Sequence, residues 1–163
     1  MSKCGNVWLG AAAIVINEHD EWLVVQKQYG GLKDMWSMCA GFVDAGETAD
    51  QAVLRELQEE TGIIGEVMGV IGVRSGVIKE LISDNMIIFL VKPLTTEITI
   101  SLPNDEIKNV KWEKPDFLLA DSMCSPMVHE FINNLSEPLP LNSKTPPGKQ
   151  FNYSTYHLFF RRQ

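Results

Sequence analysis

Four glutamates and one arginine crowd a single short stretch of this chain. It runs Gly41-Phe42-Val43-Asp44-Ala45-Gly46-Glu47, then seven residues, then Arg55-Glu56-Leu57-Gln58-Glu59-Glu60-Thr61-Gly62-Ile63. Three of the glutamates fall within five consecutive residues, and no lysine lies between Asp34 and Ile78. A surface helix normally pairs such charges at helical spacing. Carboxylates packed without basic partners repel unless a hard cation sits among them, and Mg²⁺ or Mn²⁺ prefers oxygen ligands of this kind.

The element that must carry these groups is a helix. Thr48 and Gln51 have the spacing of a capping box, so the helix starts just after Thr48. Gly62 is suited to end it in a left-handed conformation. At about 100° per residue, Ala49, Ala52, Val53 and Glu60 all fall within roughly 60° of Glu56, with Leu57 near +100° and Glu59 near −60°. Glu56 and Glu60 therefore share the apolar side of the helix. A carboxylate held there must be paired, protonated or bound to metal.

The pattern G-x5-E-x7-R-E-U-x-E-E-x-G-U, with U aliphatic, resembles the signature of the Nudix hydrolase family. Gly41, Glu47, Arg55, Glu56, Leu57, Glu59, Glu60, Gly62 and Ile63 fill its fixed positions. The resemblance implies an α/β fold, a Nudix-type α/β/α sandwich with a mixed β-sheet, reaching from about residue 5 to residue 135. It implies hydrolysis of a nucleoside diphosphate linked to another moiety, with Mg²⁺ or Mn²⁺ as cofactor. Glu56, Glu59 and Glu60 are then metal ligands, Glu56 being in some relatives the base. The Ala40 carbonyl completes the metal shell, and Glu47 with Arg55 forms an ion pair that holds the loop on the helix. A further carboxylate commonly comes from a loop outside the box. Glu106 is the choice here, with Asp105, Glu80 and Asp84 as competitors. Trp36 is the aromatic candidate beside the ligand, with Gly41 next to it. The Cys39-Ala40-Gly41 lead-in is not the Pro-Gly-Gly of many nucleotide-cleaning relatives. It is similar to the branch acting on NADH, whose downstream motif and zinc ribbon are absent. A nucleoside triphosphate, a nucleoside diphosphate sugar such as ADP-ribose, and a dinucleotide all stay open. The alternative from a different class is a non-catalytic Nudix-fold sensor acting through a partner.

Composition narrows the field further. A chain of 163 residues is expected to form one domain with a real core. A net charge of −7 disfavours a broad grip on long nucleic acid, and with it an RNA-decapping role, while leaving a small phosphorylated nucleotide compatible. Cys4, Cys39 and Cys124 make neither a disulfide framework nor a zinc spacing and suggest a reducing cytoplasm. Cys39 has no adjacent histidine, since His19, His129 and His157 are scattered, so it reads as a small core or site-lining residue. The N-terminus lacks a secretory h-region and no run approaches a membrane span, so no membrane contact is expected.

Along the chain, Val7–Asn17 and Trp22–Lys27 read as a hairpin, and 28–34 as a flexible loop. Residues 63–73, 85–92 and 107–112 read as strands, with a short one at 97–102. Helices are expected at 115–120 and 125–134. Residues 1–135 make up the domain, and 136–163 read as a linker followed by an aromatic tail. Phe151, Tyr153, Tyr156, Leu158, Phe159 and Phe160 are too apolar to stay exposed. Ordered packing is expected for them, with a homodimer interface preferred over docking on their own domain.

Overall fold

The computed structural model describes residues 5–163, so Cys4 lies outside the described residues. The central strand is β1, Val7–Val15. Its Ala11, Ala12 and Ala13 are wholly buried, as a strand covered on both faces requires. Such small side chains let layers approach closely from either side. On one flank β1 pairs antiparallel with Cys39–Phe42, and on the other it pairs parallel with Ile82–Pro93. The latter strand in turn pairs antiparallel with Gly65–Ile78. Numbered along the chain, with β2 at Trp22–Lys27, β3 at Trp36–Ser37, β4 at Cys39–Phe42, β5 at Gly65–Ile78, β6 at Ile82–Pro93 and β7 at Ile107–Glu113, the first sheet has the mixed order β4-β1-β6-β5. A second sheet has the order β3-β2-β7.

Alternation along β1 separates two cores. Ala11, Ala13 and Val15 meet Ala52, Val53 and Leu57 of helix α1, Ala49–Thr61. Ala12 and Ile14 meet Leu118 of α2, Pro115–Ala120, and Val128 of α3, Pro126–Asn133. The box helix thus covers one face and the last helix the other, which is the expected α/β/α sandwich with a mixed sheet. Helix α1 begins where its caps demand. The Thr48 amide donates to Gln51 Oε1 at 2.9 Å, and Gly62 ends it at φ 78° with its amide on the Gln58 carbonyl.

Three expectations are corrected. The first two strands do not form a hairpin: beyond a single Ile16–Trp22 bridge, β2 leaves for the second sheet. Both edges of β1 are taken by β4 and β6, so no edge is left for β2. The turn itself is closed by Asn17, whose Oδ1 accepts from the amides of His19 and Glu21. Residues 97–102 form no strand: the Thr99 amide instead donates to the Thr61 carbonyl, which has no partner within α1. Finally, β5 and β6 run well past Val73 and Asn85 as one long hairpin, turned at Lys79 and Glu80, both of positive φ.

The segment read as a linker is tied down. Leu139 exchanges backbone hydrogen bonds with Val70 of β5 at 2.8 and 2.9 Å. Gly69 allows this approach, since a Cβ there would lie 2.3 Å from the Leu139 carbonyl oxygen. Strand β8, Leu141–Ser143, then pairs with β9, Leu158–Phe159. Phe159 packs edge-on against Phe89 at 5.7 Å, and His157 Nδ1 lies 2.8 Å from Asp50 Oδ2 in the first turn of α1. The tail is ordered, and these contacts are made with its own domain. Among the described residues no helix is long and apolar enough to cross a membrane.

Candidate active site

Helix α1 presents its carboxylates to β4 and to the loop that precedes the helix. Glu60 is only 2% exposed, although Glu59 beside it is 57% exposed. Glu56 lies between these extremes, against Gly41: a Cβ at Gly41 would fall 2.1 Å from the Glu56 carboxylate. Glycine is needed there for space, and the missing side chain forms a cradle for the carboxylate. The Ala40 amide donates to Glu60 Oε2 at 3.3 Å. Strand β4 thus brings the Ala40 peptide and the Gly41 notch onto the two inward glutamates.

Each carboxylate is met by a cation. Arg55 donates through Nε and one terminal nitrogen to both oxygens of Glu47, at 3.1 and 2.7 Å. The same nitrogen reaches the Phe42 carbonyl at 3.0 Å, and the other reaches Glu56 at 2.8 Å and Glu59 at 3.2 Å. The Asp44 amide also donates to Glu47 at 2.8 Å, which ties the loop to the same fork. Hydrogen bonding from Arg55 holds the Glu47 carboxyl below its ordinary range.

Lys27, at the end of β2, was missed by inspection of the box alone. Its Nζ lies 2.9 Å from Glu60 Oε1 and donates to the Ala40 carbonyl at 2.5 Å. The signal lay in the alternation of β2. Leu23 and Val25 face the α1 core, and Lys27 continues that face two residues on. Burial pushes the Glu60 carboxyl up to about 7, with the Glu56 charge adding to it, despite the opposing pull of Lys27 and of the Ala40 amide. For Lys27, burial acts downward and is the largest single influence, but the charge and hydrogen bond of Glu60, with Cys39 and Glu56 adding, together outweigh it and hold the ammonium above its ordinary value. Cys39, next in the strand, is a fully buried thiol pushed up by desolvation and then by Glu60, which suits a core residue and not a nucleophile.

A cleft of about 310 Å³ opens on the opposite face of β1, and the residues that meet the carboxylates, not the carboxylates themselves, reach its wall. Lys27, Ala40 and Gly41 form one end of it, and Gly10 and Ala12 line its floor. Trp8, Tyr29 and Phe42 supply aromatic walls that the sequence reading did not pick out, with Trp8 and Phe42 edge-to-face at 5.6 Å. Trp36, expected beside a ligand, does not line this cleft; its ring carries the Lys111 ammonium at 4.4 Å. Of the competing loop carboxylates, Asp84 lines the cleft and pairs with Arg74 at 2.7 Å. Glu80 is exposed at the tip of the β5–β6 hairpin. Asp105 and Glu106 are exposed before β7, and the Glu106 carbonyl accepts from the Gln28 amide at 2.8 Å, one residue from Tyr29.

The donor set can be tested against a divalent cation. Glu60, Glu56 and the Ala40 carbonyl are all hard oxygen donors, and the Gly41 notch keeps the Glu56 carboxylate close to β4. This chemistry fits Mg²⁺ or Mn²⁺. Among the described residues no three His, Cys, Asp or Glu side chains converge on one point. The ion pairs give the reason: Glu56 is turned to Arg55 and Glu60 to Lys27.

Known proteins match this chain in sequence and in fold. The NUDIX domain model matches residues 8–130. Nudix hydrolase 8 of Arabidopsis thaliana is 34% identical over 124 residues, 74% of this chain and 32% of that protein. The ADP-ribose pyrophosphatase of Methanocaldococcus jannaschii is 36% identical over 61 residues, 37% of this chain and 36% of that protein. The chain thus spans about a third of the length of these curated relatives. In the solved NUDIX hydrolase from Nitrosomonas europaea the same fold recurs, with TM-score 0.70, 22% identity and coverage of 82% of this chain and 93% of that one. With its fold, its box and the family model in agreement over most of its length, the chain belongs to the Nudix hydrolase family.

Proposed function

We propose that this chain is a metal-dependent pyrophosphohydrolase cleaving a nucleoside diphosphate linked to another moiety. The observation that carries the proposal is the seating of Glu60 on the Ala40 amide and of Glu56 in the Gly41 notch of β4, with Ala40 and Gly41 also lining an aromatic-walled cleft. Glu56 and Glu60, with Ala40, would hold the Mg²⁺ or Mn²⁺, and the more exposed Glu59 would serve a second ion. Such an ion, when bound, neutralises the diphosphate, polarises phosphorus and lowers the pKa of water. The residues supply the rest. Arg55 fixes the box loop on the helix through Glu47 and Phe42, so the carboxylates are oriented before substrate arrives. Trp8, Tyr29 and Phe42 offer flat apolar surface to a base. Glu106 is assigned as the further loop carboxylate, because its peptide is bonded to the segment that carries Tyr29.

The substrate classes are nucleoside diphosphate sugars such as ADP-ribose, nucleoside triphosphates and dinucleotides. The name of the Methanocaldococcus relative favours ADP-ribose as the first to try. A reducing cytoplasmic setting is part of the proposal, supported by the buried, unpaired thiols of Cys39 and Cys124. A homodimer is also included: Phe151 and Tyr153 stay 57% and 52% exposed after the tail has docked, and sedimentation of the full chain tests it. The central test is a substrate panel with Mg²⁺, read as mononucleotide or phosphate release. Turnover that disappears in EDTA is the expected result. Tight nucleotide binding with no turnover on any substrate would favour the sensor instead.

A further inference from the structure

Lys27 occupies the oxygens that a divalent cation would need. Its Nζ bridges Glu60 Oε1 at 2.9 Å and the Ala40 carbonyl at 2.5 Å, and the Ala40 amide closes the ring on Glu60 Oε2. A Mg²⁺ ion binds such oxygens at about 2.0–2.1 Å, where its two charges repel an ammonium held on the same two atoms. Entry of one cation therefore favours departure of the other. The backbone of Lys27 is fixed, since β2 is paired with β3 and β7. Its side chain is free to rotate about four methylene groups. Toward the cleft there is room: Lys27 is 23% exposed and already lines the cleft wall beside Ala40 and Gly41.

We propose that Lys27 is an exchangeable counter-cation: it holds Glu60 and Ala40 in the absence of metal, and metal entry moves its Nζ into the cleft, where it binds the substrate's diphosphate. The inference rests on the metal-site reading above. It adds that filling the metal site creates a phosphate-binding group on the chain itself. Arg55 cannot act this way, because five hydrogen bonds to four groups pin its guanidinium.

The experiment uses the full chain labelled with ¹³C,¹⁵N-lysine, titrated with Mg²⁺ alone. The Lys27 side-chain signal is assigned by its loss in Lys27→Arg. It should shift and saturate at the same Mg²⁺ concentration that calorimetry gives for metal binding. In a second arm, inorganic pyrophosphate is titrated at saturating Mg²⁺. There Lys27→Met should bind it roughly tenfold or more weakly, as expected for one lost hydrogen bond to a charged group. Metal binding with an unmoved Lys27 signal overturns the exchange while leaving the metal site standing. Unchanged pyrophosphate affinity in folded Lys27→Met overturns the phosphate role. No calorimetric binding of Mg²⁺ overturns both the metal-site reading and the exchange. The first arm uses the unsubstituted protein, so it decides even where Lys27→Met does not fold.

Discussion

Two cations serve the box carboxylates, and they do so in opposite ways. Arg55 is a planar fork that saturates both oxygens of Glu47 and still reaches Phe42, Glu56 and Glu59. Lys27 is a point charge on a long stem, in contact with one carboxylate and one carbonyl. The first arrangement stores geometry and the second stores charge. Glu47 is outside the helix and its ion pair closes a loop, whereas Glu60 is buried and its partner arrives from another sheet. Residues of one sequence motif are thus divided between a fixture and a site whose occupant can change.

The largest effect that could break this contrast is Glu60→Gln. Turnover should fall by about a hundredfold or more, since the polarisation it supports is worth several kcal/mol. Circular dichroism should show the fold unchanged. The same variant tests the electrostatics. With its carboxyl pushed up to about 7, Glu60 binds its proton more tightly folded than unfolded. That extra stability is fully present below the ordinary carboxylate pKa and is lost as pH rises through about 7. The metal-free protein should therefore lose thermal midpoint across that range, and Glu60→Gln should flatten the decline. An unchanged slope in the variant would remove Glu60 as its source.

Gly41→Ala comes next. The added Cβ collides with the Glu56 carboxylate, so turnover should drop by roughly a hundredfold if that group moves by about 1 Å. The thermal midpoint should change little, because Glu56 can swing outward. Arg55→Lys should reverse the pattern. It removes the two-oxygen fork on Glu47 and costs about 1 kcal/mol after allowance for solvent, or roughly 2–4 °C in midpoint. Turnover should fall only as far as the loop loosens. A hundredfold loss with normal stability would mean that Arg55 meets substrate directly. His157→Ala should have the smallest effect, a midpoint shift of about 2 °C or less with kcat unchanged, because its pair with Asp50 joins the tail to α1 away from the carboxylates.

What could be read without coordinates follows the reach of the interactions concerned. Thr48, Gln51 and Gly62 set the limits of α1 through bonds within a few residues, so its ends were legible. The common side of Glu56 and Glu60 follows from helical geometry alone. The two-faced burial of β1 was visible in its unbroken apolar run. Lys27 was not, because its partner is contributed by helix α1 and no local pattern pairs residue 27 with residue 60. The expected β1–β2 hairpin failed for the same reason: the turn at Asn17 is local, but the choice of neighbour belongs to β4 and β6. Residues 97–102 have a strand-like sequence whose amide at Thr99 is taken by the end of α1. For the tail, composition required packing but could not say where. The seat depends on the Gly69 gap in β5 and on Phe89 of β6.

The pairing of Leu139 with Val70 has a consequence for the order of assembly. Strand β5 is the outer strand of its sheet, and a bare outer strand is a template for joining to another chain. The residues that cover it, and the Phe159 ring that seats on Phe89, are synthesised after everything they cover. Until they emerge, the growing chain carries an open sheet edge and an unshielded core ring. The period of greatest risk for mispairing is therefore late in translation, when the box helix and both sheets have already been made. A stalled or prematurely ended chain would keep the whole box and yet lack the segment that pairs with the sheet edge at Val70.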